Sequence, residues 1–114
     1  MSTPSGAEVV SIRDFKRLDI RVGTIKQAEA IQGSEKLFRI LVDMGDHTRQ
    51  IVSGIAEYYK PEELAGLQIA VLCNLKPAKI FGNESVGMLL AAESGSNLAL
   101  LTVDRKIQPG ANIT

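Results

Sequence analysis

With 114 residues, of which 45% are hydrophobic and 23% charged, the chain is long enough to bury a core of its own and has the make-up of one globular domain. Thirteen basic residues balance thirteen acidic ones, which excludes attraction of nucleic acid by overall charge and confines any such contact to a local patch. One cysteine excludes an internal disulfide, Cys73 sits in an apolar run that suits a reduced thiol, and neither a signal peptide nor an apolar run of membrane-spanning length is expected, so the expected setting is cytoplasmic.

Residues 1–10 begin with Ser, Thr, Pro and Gly and are expected to form a flexible tail, with one domain over 11–114. Ser11 with Asp14 three residues on predicts a capped short helix presenting Ile12 and Phe15 on one face. Asp19 to Glu29 alternates apolar and polar residues, the period of a half-buried strand, and Gly23 inside it predicts a bulge or strong bend. After a turn over 31–36, Leu37–Asp43 and Arg49–Ser53 read as strands joined through Met44-Gly45-Asp46-His47-Thr48. Residues 55–67 read as helical turns, with Pro61 suited to a first helical position. Gln68–Cys73 and Ser85–Ala92 read as two further strands, followed by a turn at 93–97 and apolar residues over 98–103. Three meandering strands, a short helix and two strands are the order of a five-stranded Greek-key OB-fold barrel, so the expected class is all-β with short helices, an N-terminal helix and a C-terminal extension.

The stretch 73–92 concentrates the chemistry. Pro77 cannot donate a ladder hydrogen bond, so the chain is expected to leave the sheet there in a basic loop. Between Glu63 and Glu84 there is no carboxylate, so a surface holding Lys76 and Lys79 is positive although the protein is neutral.

Asp19-Ile20-Arg21-Val22-Gly23, Lys36-Leu37, Val42-Asp43-Met44-Gly45, Arg49-Gln50-Ile51-Val52-Ser53-Gly54-Ile55, Asn74-Leu75-Lys76-Pro77-Ala78-Lys79 and Ser85-Val86-Gly87-Met88-Leu89-Leu90-Ala91-Ala92 together resemble the tRNA-binding domain family. That family includes the C-terminal domain of methionyl-tRNA synthetases, its free-standing beta-subunit counterpart and free-standing structure-specific tRNA-binding proteins. The resemblance implies an OB fold, no catalysis and no cofactor, binding of tRNA by shape and backbone, a homodimer, and a methionyl-tRNA synthetase catalytic subunit as a possible partner. The turn 32–37 is most similar to the methionyl-synthetase branch. Phe81 and Val86 depart from the family, where many relatives carry arginine and Glu or Gln; the first removes a phosphate contact or offers a stacking surface instead.

On this reading Lys76 and Lys79 contact phosphates, Ser85 donates to a phosphate or ribose oxygen, and Met88 lies against a sugar or base. Arg49 contacts tRNA or else pairs with Asp46 or Asp43. Arg39, Arg21 and Lys36 are further candidates. Asn74 joins them, though a backbone-satisfying turn role suits it better. His47 stands alone, so no metal cluster or histidine triad can be assembled. Glu62-Glu63 suit a helix start, and Tyr58-Tyr59 are expected to pack rather than stack bases. Val9, Val10, Ile12 and Phe15 before the barrel, with Leu98, Leu100, Ile107 and Ile113 after it, are more apolar surface than a monomer usually exposes and are the expected dimer interface. The rival functions are a chaperone that binds peptides on the same fold, disfavoured by Lys76 and Lys79, and an interaction module that never touches RNA.

Overall fold

The long alternating segment forms strand β1, Ile20–Ala30, and the strands that follow are β2, Phe38–Asp43, and β3, Thr48–Ser53. The computed structural model describes residues 8–114, so most of the expected flexible tail lies outside the described residues. Helix α1, Ile12–Phe15, is capped as its sequence predicts, Ser11 Oγ accepting from the Asp14 amide at 3.1 Å. Of the helical turns expected over 55–67 only α2, Pro61–Leu64, is helical; Glu63 closes it by accepting from the Lys60 amide at 2.7 Å. Leu64 is its one buried residue and fixes the helix on the barrel.

Strand β4, Gln68–Leu72, follows, then five short strands: β5, Ala78–Ile80; β6, Asn83–Ser85; β7, Met88–Leu89; β8, Ala91–Ser94; β9, Asn97–Leu100. The main sheet has the order β3-β2-β1-β4-β7, while β5-β6 and β8-β9 are separate hairpins. It is curled because β1 changes partner along its length. Residues 20–24 pair with β4 on one edge, and residues 24–30 pair with β2 on the other. The result is a five-stranded half-barrel of OB-like fold, as expected. Period-2 alternation buries Phe38, Ile40 and Val42 against Ile25, Ile51, Ile69 and Val71, each worth about 1.5–3 kcal/mol when taken from water.

The bulge in β1 falls at Lys26, between the pairs Ile25↔Val42 and Gln27↔Leu41, and not at Gly23. Gly23 serves close packing: a Cβ there would collide with Val42 Cγ1 and come within 2.8 Å of Met44 Sδ. The single strand expected over 85–92 is also corrected. Gly87, at φ +114°, turns the chain between β6 and β7, the run breaks again at Leu90, and β6, β7 and β8 each take a different partner.

The C-terminal extension is spent largely on the barrel itself. The stretch of β1 that lacks β2 is covered by residues 110–113, with Val22 donating to Ala111 at 2.9 Å, Gly110 to Val22 at 2.7 Å and Ile113 to Ile20 at 2.8 Å. Leu100 is 8% exposed and belongs to the core, so its expected place in a dimer interface is corrected.

Candidate nucleic-acid interface

Residues 74–87 leave the sheet after β4 as the position of Pro77 predicts, but they fold into the β5–β6 hairpin rather than an open loop. Its base is tied to β3 by four bonds. Val86 donates its amide to Gln50 at 2.9 Å, Gln50 Nε2 donates to the Glu84 carbonyl at 2.8 Å, Ser85 Oγ accepts from the Val52 amide at 3.0 Å, and Arg49 reaches the Val86 carbonyl at 3.4 Å. These bonds draw the free edge of β3 toward the hairpin and close the seam of the half-barrel.

Two expected RNA contacts are therefore corrected. Ser85 is 5% exposed and its hydroxyl serves the seam, accepting from the Val52 amide and donating to the Gly87 carbonyl at 3.4 Å, so its proton is not free for a phosphate. Asn74 accepts from the Asp19 amide at 2.9 Å and donates to the Arg17 carbonyl at 2.7 Å, so both ends of its amide pin the chain between α1 and β1. Ser85→Ala is expected to lower stability by about 1–2 kcal/mol, because it orphans the buried Val52 amide, and to leave the tRNA affinity of the folded protein unchanged. A urea midpoint equal to that of the parent would contradict this.

Arg49 pairs with neither Asp46 nor Asp43. Its guanidinium donates to the Cys73 carbonyl at 2.9 Å and to His47 Nε2 at 3.0 Å, which fixes the exit from β4. His47 in turn meets Asp46 at 2.5 Å, and that hydrogen bond holds the carboxyl below its usual range. Cys73 lies just beneath, and burial pushes its thiol up, against any nucleophilic use. Arg21 is likewise engaged, with Asp19 at 2.8 Å and the Gly110 carbonyl at 3.3 Å. Tyr59 packs on the core and accepts from the Leu100 amide at 3.1 Å, as its expected packing role requires.

What remains exposed on the hairpin is basic and apolar. Lys76 and Lys79 are exposed, and among the described residues neither is in an ion pair. Glu84 stands directly across the hairpin from Lys79, a neighbour the sequence separation conceals. Met88 is 45% exposed at the start of β7. Arg39 is paired with Glu29, its partner across β1–β2, and lines the cleft into which the hairpin tip Phe81 reaches. Lys36 is exposed on the turn before β2, away from the hairpin base, with its carbonyl held by the Ala56 amide at 3.1 Å. Sequence reading did not single out the exposed pair Lys16 and Arg17; the bond from Asn74 to the Arg17 carbonyl ties their segment to the start of residues 74–87, a contact between residues 57 apart that local spacing cannot signal.

The family described as "Putative tRNA binding domain" matches residues 20–112. A methionine–tRNA ligase of Thermotoga maritima is 53% identical over 105 residues, covering 92% of this chain and 17% of the ligase, so the chain spans about a sixth of that relative. Among solved structures, a MetRS-related protein from Pyrococcus horikoshii superposes with a TM-score of 0.89 at 38% identity, covering 95% of this chain and all of that one. The chaperone CsaA of Bacillus anthracis superposes with a TM-score of 0.86 at 28% identity, covering 94% of this chain and all of that one. The family model that spans most of the chain is described as a binding domain, and the chain belongs to this tRNA-binding domain family.

Proposed function

We propose that the chain binds folded tRNA in the cytoplasm, as an accessory subunit or domain acting with the catalytic part of a methionine–tRNA ligase. The observation that carries this reading is the anchored hairpin presenting unpaired Lys76 and Lys79 on a protein of zero net charge. Met88 and Arg49 flank its base, Arg39 lies across the cleft from its tip, and Lys36 stands apart on the turn before β2. Holding tRNA beside a synthetase raises the effective concentration of substrate without any new catalytic group. A neutral protein with one patch reaches few phosphates, about three to five, so its salt dependence is shallow. Filter binding of the isolated chain tests this: folded tRNAs of different sequence compete within about tenfold and duplex DNA competes poorly, because shape is what is read. A thousandfold preference for one tRNA, or binding of unfolded peptides with indifference to RNA as a chaperone would show, contradicts it.

The functional unit is a homodimer. Val9 is 90% exposed, Val10 66% and Ile12 69%, and Ile12 lines a cleft of about 430 Å³ together with Phe15 and Ile113. Leu98 and Ile107 contribute from the C-terminal side. Light scattering is expected to give twice the chain mass at micromolar concentration, with two RNA sites per particle; a monomer mass overturns it.

A further inference from the structure

The tip of the β5–β6 hairpin is a two-residue turn, Phe81-Gly82, between the paired residues Ile80 and Asn83. Both turn residues have positive φ, +50° and +77°. Such turns favour Asn-Gly, since a side chain with a bulky Cβ branch point is strained in the left-handed region. Phe81 is the one non-glycine residue at positive φ among those described, and Asn83 Nδ2 holds it there by donating to its carbonyl at 2.9 Å. Burial does not offset the strain, because the residue is 61% exposed. Strain that the packing does not reward marks a position kept for function.

The ring reaches over the turn between β1 and β2: a Cβ on Gly33 would lie 3.8 Å from Phe81 Cε2. Beside it opens a cleft of about 300 Å³, walled by Phe81 and Asn83 on the hairpin and by Glu29, Gln32 and Arg39 on the opposite side. That volume is at the low end for small-ligand sites and suits one flat heterocycle. An aromatic face on one side and polar side chains on the other match a nucleobase, apolar on its faces and polar along its edge.

We infer that this cleft is a nucleobase subsite: one unstacked base of the bound RNA lies on the Phe81 ring with its polar edge toward Arg39 and Asn83. The inference rests on the RNA-binding reading above and adds to it a stacking contact separate from the lysines. A stacked base is tolerated whatever its sequence, in keeping with recognition by shape.

The chain contains no tryptophan, so Phe81→Trp creates a single emitter at the site. Bulk tRNA is the probe. Phe81→Trp is expected to bind at least as tightly as the parent, with emission quenched saturably by tRNA. Phe81→Leu is expected to bind about tenfold more weakly, equivalent to about 1.4 kcal/mol and within the range for one stacked base, with an unchanged salt slope. Phe81→Asn, which suits the turn, is expected to melt at a higher temperature and still bind as weakly as Phe81→Leu, separating stacking from folding. Emission of Phe81→Trp that ignores saturating tRNA, or parental affinity in both Phe81→Leu and Phe81→Asn, overturns the subsite while leaving RNA binding standing. A parent chain that binds no tRNA overturns both.

Discussion

Removing both ammonium groups of the hairpin, Lys76→Ala with Lys79→Ala, is expected to weaken binding of every folded tRNA alike, by about ten- to a hundredfold at low salt. Each lost contact is assigned about 0.7–1.5 kcal/mol, between an exposed ion pair and a hydrogen bond to a desolvated charge. The log–log salt slope should fall by about two, one for each phosphate no longer neutralised. The fold should not notice, since both side chains are exposed and surface substitutions of this kind stay within about 0.5 kcal/mol. Glu84 supplies the converse test. Standing across from Lys79, it subtracts from the positive potential that phosphate would meet, so Glu84→Gln should tighten binding a few-fold, and more at low salt than at high. A double alanine variant with the parental affinity and slope would make the hairpin scaffolding and move the site to the strands bearing Arg39 and Arg49.

The strands of the main sheet were legible wherever one face of a strand is buried along its length. Residues 19–29 alternate with period 2 and burial alternates along β2 because one side faces the core, and these segments and residues 49–53 each form a strand within a residue or two of the expected ends. The run 85–92 was not legible in the same way. It is apolar on successive residues, and nothing in such a run says where the chain exchanges one partner strand for another. The β5–β6 hairpin was hidden by its turn, which sets phenylalanine where turn rules look for asparagine, so Lys79 and Glu84 were read as distant although they face each other. Gly23 signalled something real but ambiguous, since a strand glycine marks either a bulge or a close approach; here it marks the approach of Val42 and Met44. Ser85 and Asn74 looked like RNA donors because a polar residue in a basic motif invites that reading. Their partners are the amides of Val52 and Asp19, 33 and 55 residues away, and no local pattern carries that information.

Arg49 is where fold and site depend on the same side chain. Its guanidinium joins three separate segments: Nε donates to the His47 ring, and one terminal nitrogen spans the carbonyls of Cys73 and Val86, at 2.9 and 3.4 Å. Those carbonyls mark where the chain leaves β4 and where it returns before β7, so Arg49 sets the width of the base from which the hairpin projects. Truncation leaves both carbonyls short of a donor. Arg49→Ala is expected to cost about 1–3 kcal/mol, seen as a fall in thermal midpoint of about 4–5 °C per kcal/mol for a domain of this size. Arg49→Lys keeps the charge but not the planar fork, and one ammonium cannot reproduce contacts to a ring and two carbonyls held in that geometry. It should therefore recover little of the lost stability. Below its melting temperature Arg49→Lys should bind tRNA more weakly with the parental salt slope, because the hairpin is displaced while the charge count is unchanged. If instead Arg49→Lys is as stable as the parent and Arg49→Ala loses one unit of slope without melting earlier, the arginine touches phosphate directly and the base of the hairpin is held by the Ser85 and Gln50 bonds alone.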